Sequence, residues 1–248
     1  MEVLSSSSIT TYILPLLSVG SRGKTDEVPT LGIVQAILYR LKTGCQWRFL
    51  PLKEFFGQKD YTRQSVYHHY RHQRNWMLPI RQQKRGGEAV GYQGRKRCTT
   101  SAMMVLSDNN GTPLTCATPR SGKHHDTFEI EEALREMIAL LHQAGIDVHG
   151  VFLNADAAFD TALFRSICAE FGIEANVPIN PRNDEALERD EYFDDELYKH
   201  RTVIEHTFAW LDSFKGLLVR YETKLKHWTV MNIIGFIVIF IRKILKTQ

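Results

Sequence analysis

The residues best suited to chemistry are acids delivered by apolar runs. Gly150-Val151-Phe152-Leu153 carries no charge and leads through Asn154 and Ala155 to Asp156, with Asp160 four residues further on. Such a run reads as a buried strand, and open α/β sheets place reactive groups beyond the carboxyl ends of their strands. Two readings of Asp156 stand: a carboxylate offered to a ligand, or the cap of a helix beginning near Ala158. A second constellation is Tyr198, Arg201 and Glu205. Spacings of three and four put them near one face of a helix running to about Phe214. Arg201 and Glu205 then make an ion pair along that helix, or Glu205 turns inward as a metal ligand while Arg201 and Tyr198 handle phosphate.

A third cluster is basic. Arg81–Arg97 holds six basic residues and one acid, interleaved with Gly86, Gly87, Gly91 and Gly94. Glycines allow close backbone approach, and Tyr92 is placed to stack on a base or sugar. This stretch is a solvated loop or a phosphate contact, the latter through Lys84, Arg85, Arg95, Lys96 and Arg97. A helix expected over Arg63–Gln73, with Thr62 as its N-cap, turns Val66 and Tyr70 to the core. Its outer surface offers Arg63, Gln64, His68 and Arg71, the side-chain types that meet a major groove. Solvated polar faces are also common on three-helix units. His124 and His125 are adjacent, which is not zinc-ligand spacing.

These groups need a frame. Residues 1–20 read as a loosely tethered start. Leu31, Val34, Ile37, Leu38 and Leu41 then recur at helical spacing until Gly44 stops the helix. Trp47 and Leu50 are expected anchors, and Pro51 opens another turn or helix through Phe56. Cys98–Ser107 reads as a strand, Asp108-Asn109-Asn110-Gly111 as a turn, and Thr112–Thr118 as the returning strand. A helix is expected over Thr127–Ala144, capped by Asp126 with Glu129 closing a capping box. Beyond the focal strand come a helix over Ala158–Phe171, a strand over Glu174–Val177, and a buried helix over Val230–Ile244.

Composition is that of a globular chain: 248 residues, 43% hydrophobic and 24% charged. The net charge of +3 leaves the argument about partners to where the charges fall. Four scattered cysteines, Cys45, Cys98, Cys116 and Cys168, suit a reducing compartment without structural zinc. No secretory leader is evident, and the most apolar stretch, Val230–Ile241, is short for a bilayer span. Asp184–Glu196 carries eight acids against one arginine and reads as a solvated insertion.

LYRLKTGCQWRFLP (Leu38–Pro51), KRGGEAVGYQGRKR (Lys84–Arg97), SGKHHD (Ser121–Asp126), NADAAFD (Asn154–Asp160) and YKHRTVIEHTFAWLDSFK (Tyr198–Lys215) occur in that order. In these the chain resembles transposases of bacterial insertion sequences of the IS5 group, within the DDE class, over about Leu31–Ile244. The resemblance implies an α/β fold in which a mixed, RNase H-like sheet follows a small all-helical, helix-turn-helix-like domain. The division is expected at 1–76 and 77–248, with the acidic insertion at about 184–196. The implied activity is metal-dependent DNA cleavage and strand transfer at element ends. Asp156 and Glu205 are the implied catalytic acids and ligands of Mg²⁺ or Mn²⁺, with Asp160 a further candidate ligand. Tyr198, Arg201 and Lys215 are the implied phosphate contacts. The implied partners are double-stranded DNA, as terminal inverted repeats and target, and a second copy when two ends are synapsed. No membrane is implied, and the location is the bacterial cytoplasm, at the nucleoid.

Two departures from the family pattern bear on activity. Asp212 stands where a lysine is expected, with Lys215 one turn later. No acid lies between Asp60 and Glu88, where a strand should carry the first catalytic Asp. A two-metal centre without that carboxylate loses both metal affinity and charge stabilisation. The expectation is an impaired transposase; the alternative is a non-catalytic DNA-binding remnant or repressor.

Overall fold

The computed structural model describes residues 3–17, 29–57, 61–72, 88–94, 97–125, 127–182, 192–218 and 220–247. The chain divides into two compact units, Met1–Glu88 with Phe208–Gln248, and Ala89–Thr207. The boundary expected after Trp76 lies outside the described residues.

The first unit is helical. Its start is not loose: α1 (Ser6–Ser8) is capped by Ser5 and runs on through helical turns to Leu16. Ile9 and Ile13, one turn apart, are buried there, and the Val3 carbonyl accepts a hydrogen bond from Arg242 at 3.0 Å. The apolar spacing outweighs the Ser/Thr composition. α2 (Thr30–Thr43) buries Ile33, Val34, Ile37, Leu38 and Leu41, and Gly44 ends it at φ +67°, a left-handed position that suits glycine. α3 (Leu52–Phe56) and α4 (Arg63–His72) follow as expected, with Val66 and Tyr70 buried. α9 (Lys215–Leu218) lies so close to α2 that a Cβ on Gly216 would sit 2.8 Å from the Leu41 carbonyl oxygen. α10 (Leu225–Thr247) exceeds the apolar stretch expected from sequence. It is long and apolar enough to cross a bilayer, yet 61% of its most apolar window is buried within the protein, as in a core helix.

The second unit carries every described strand. β1 (Gly91–Gln93), β2 (Cys98–Ala102) and β5 (Arg120–Ser121) form an antiparallel sheet in the order β1-β2-β5. β3 (Val105–Ser107) pairs with β4 (Pro113–Cys116), so the single strand expected over Cys98–Ser107 is interrupted at Met103-Met104. Asp108 closes the hairpin turn by accepting from the Asn110 and Thr112 amides. β6 (Phe152–Asn154) and β7 (Glu174–Asn176) are parallel neighbours. The helical region is thus followed by mixed, open strand pairing.

α5 (Ile130–Gln143) begins three residues later than expected. Glu129 precedes it at φ +51° and makes no side-chain cap, while Asp126 lies outside the described residues. α5 packs Leu134, Met137, Ile138 and Leu141 against Phe164, Ile167 and Cys168 of α6 (Ala162–Glu170). α6 also starts late. A 3₁₀ turn at Ala157–Phe159 and a break at Asp160 come first, and Thr161 provides the cap. Leu163 on α6 is exposed.

Candidate functional site

β6 is not the fully buried strand its composition suggests. Val151 and Phe152 are 46% and 43% exposed, while Leu153 packs on the α5–α6 core. With β7 as its only described neighbour, β6 ends at Asn154, directly opposite Asn176. Two residues on, Asp156 is extended (ψ 157°) and exposed, and its side chain makes no cap hydrogen bond. The capping alternative therefore fails, and the carboxylate is turned outward.

Its partner comes from the second constellation. Arg201 Nη1 lies 2.5 Å from Asp156 Oδ1, and the guanidinium stands 5.3 Å from the Tyr198 ring centroid. Tyr198 in turn meets Phe193 edge-on at 5.1 Å. Residues 45 positions apart in the sequence thus make one cationic, aromatic and acidic cluster beside the end of β6. The continuous helix expected here is segmented. α7 (Asp195–Tyr198) passes through a 3₁₀ turn, Lys199–Thr202, into α8 (Val203–Asp212). At three residues per turn the 3₁₀ segment stacks Arg201 over Tyr198. Glu205 follows in the first turn of α8 and is exposed. α8 is fixed at Thr207, whose buried hydroxyl donates to the Gly111 carbonyl at 2.7 Å.

Side-chain amides join these parts. Asn176 Nδ2 donates to Asn154 Oδ1 at 2.8 Å and to the Asp194 carbonyl at 3.0 Å, and Asn176 Oδ1 accepts from the Asp194 N–H at 2.8 Å. Asn154 Nδ2 donates to the Leu197 carbonyl at 2.9 Å. Residue type and spacing do not single out these asparagines; their position closing β6 and β7 does.

Asp160 is placed elsewhere. It is 1% exposed; Oδ1 accepts from Arg165 Nε at 2.9 Å and Oδ2 from the Asn180 N–H at 2.8 Å. Arg165 goes on to donate to the carbonyls of Ala175 and Val177. Asp160 is a structural anion binding α6 to the end of β7, a role its neighbour in the motif does not share. Two of the described carboxylates named for a metal are already engaged. Asp156 faces a guanidinium, Asp160 has both oxygens engaged, and among the described residues no three His, Cys, Asp or Glu side chains are grouped for a metal.

The other expected contacts that are described are carried by other elements. On α4, Arg63, Gln64, His68 and Arg71 are exposed, with Arg71 5.5 Å from the Tyr67 ring. Lys215 is exposed at the start of α9, in the first unit. Tyr92 is 63% exposed on β1, and Arg97 is exposed at φ +51°. Lys84, Arg85, Arg95 and Lys96 lie outside the described residues. His124 stacks on Phe128 at 3.7 Å.

Compared with known proteins, the chain finds no match among curated proteins or solved structures. A family model does match, covering residues 64–241 and so taking in α4 from its second residue and the Asp156–Arg201–Tyr198 cluster. The chain belongs to the transposase DDE domain family, a family of proteins that act on DNA.

Proposed function

We propose that the chain is an insertion-sequence transposase of the IS5 group that holds double-stranded DNA but is impaired in cleaving and joining it. On this reading residues 77–248 form the RNase H-like part, α4 belongs to an amino-terminal DNA-binding region of about residues 1–76, and a homodimer synapses two ends in the bacterial cytoplasm. Asp156 and Glu205 are the second and third acids of the DDE set. Members of the class use divalent metal ions, Mg²⁺ or Mn²⁺, and this chain lacks an acid between Asp60 and Glu88 to complete the set.

The observation that carries the reading is the Asp156–Arg201–Tyr198 cluster at the end of β6. A guanidinium held by one exposed carboxylate needs only to exchange that anion for a DNA phosphate, which it binds through a fork of N–H donors. The tyrosine ring keeps the guanidinium plane in place during the exchange. Two exposed acids without a third offer little for in-line attack at phosphorus, so retention of DNA outlasts chemistry on it.

The test is a pair of assays on the full chain with duplexes carrying the element's terminal repeats. Anisotropy is expected to report salt-dependent binding that Arg201→Ala weakens, and gels with Mg²⁺ or Mn²⁺ to show little cleavage. Robust cleavage that disappears in Asp156→Ala would overturn the impairment. Absence of duplex binding at low salt would overturn the whole reading.

A further inference from the structure

We propose that Asn154 and Asn176 are positioning residues: their side-chain amides lock the segment bearing Tyr198, Arg201 and Glu205 onto the strand ends that lead to Asp156. The inference rests on the site proposed above and adds what holds it together. Asn176 is 1% exposed and spends its whole amide on two neighbours. It grips Asp194 at both the N–H and the carbonyl, as a neighbouring strand would, and reaches Asn154 with the same Nδ2. Asn154 is thereby oriented with its own Nδ2 toward the Leu197 carbonyl, immediately before Tyr198.

Asp194 passes the constraint on. Its carboxylate accepts from the Leu197 N–H at 2.9 Å and its carbonyl from the Tyr198 N–H at 2.9 Å. The start of α7 is therefore fixed before the chain turns toward Arg201. Asp156 follows Asn154 by two residues, so one end of the clamp sets both members of the Arg201–Asp156 pair. Side-chain volume alone does not explain the choice of residue. Aspartate has the same shape but no Nδ2 donor, and leucine has neither donor nor acceptor.

The test uses Asn154→Asp, which keeps the acceptor toward Asn176 and puts an oxygen against the Leu197 carbonyl. Asn176→Asp is the second variant. Hydrogen exchange, corrected for intrinsic rates, is expected to show about tenfold loss of protection at the amides of Tyr198–Glu205, with Ala162–Glu170 unchanged. In Asn154→Asp the protection returns when the new carboxyl is protonated and can donate again, while the wild type shows no such recovery. Duplex affinity falls to that of Arg201→Ala. Unchanged protection, equal loss across Ala162–Glu170, or no recovery at low pH overturns the clamp. If the wild type fails to bind duplex DNA, the proposed function falls, and exchange alone still decides the clamp.

Discussion

Asp156 and Asp160 stand four residues apart in one motif and do opposite work, and burial is what separates them. Removing one member of a buried ion pair leaves the other charge uncompensated, at a cost of about 3–5 kcal/mol. Asp160→Ala, which strands Arg165 and the Asn180 amide, is expected to lose stability on that scale in urea unfolding. Asp156→Asn, at a pair whose carboxylate side chain is 58% exposed, is expected to cost under about 1 kcal/mol. Comparable losses in the two variants would contradict these assignments. His227 makes a third case at this scale. Burial, reinforced by Lys226, Arg71 and Lys224, pushes its pKa down to about 4. A ring that resists protonation when folded is protonated first in the unfolded chain. Its share of stability is therefore complete above about pH 6.5 and declines as pH falls toward 4. Urea unfolding at pH 7.5, 5.5 and 4.5 is expected to show that decline in the wild type and a shallower one in His227→Gln.

At the scale of elements, backbone proximity and buried charge set the arrangement of the first unit. α9 packs on α2 through Gly216, where an added Cβ would meet two carbonyl oxygens inside 3 Å. Gly216→Ala is expected to cost about 1–3 kcal/mol by forcing those backbones apart, read as a lower melting temperature. The same α2 buries Arg40 against Glu222 at 2.5 Å, beneath the Trp47 ring at 4.6 Å. Which elements are legible in sequence follows from this physics. The helix over Thr30–Thr43 was legible because its apolar spacing and Gly44 agree, and Val66 and Tyr70 were legible on α4 for the same reason. The break at Met103-Met104, the late starts of α5 and α6 and the 3₁₀ turn at Lys199–Thr202 were not. The late starts of α5 and α6 and the 3₁₀ turn adjoin pairings that local spacing does not reveal: Arg120 with Glu129, Asp160 with Asn180, Arg201 with Asp156. In the candidate site, spacing identified Tyr198, Arg201 and Glu205 as a group. It left open whether Arg201 pairs with Glu205, and the structure gives it Asp156 instead. The asparagine amides are not legible in sequence because an amide carries no charge and its value lies in geometry.

At the scale of the whole molecule, a net charge of +3 conceals strong segregation. Eight acids and one arginine fill Asp184–Glu196, six basic residues and one acid fill Arg81–Arg97, and nine basic residues against three acids fill 197–248. A chain so divided attracts a polyanion through its basic parts while its total charge stays small, so affinity for DNA should depend steeply on salt. The exposed residues of α4 and the Arg201 cluster then make different predictions from ordinary surface charge. Each phosphate contact removed is expected to lower the slope of log affinity against log salt by roughly one. Arg63→Ala and Arg71→Ala should each do so with every duplex tested if they touch only phosphate. Gln64→Ala should leave the slope unchanged and reduce the preference for terminal-repeat duplex over unrelated duplex, because an uncharged amide reads base edges. A control substitution at exposed Lys123, outside both clusters, should change neither quantity. Equal effects from Lys123→Ala and Arg71→Ala would mean that α4 adds only diffuse charge, and its place as the reading helix would be lost. Separation of slope from preference between Arg71 and Gln64 would mean that α4 both holds the duplex and distinguishes its sequence.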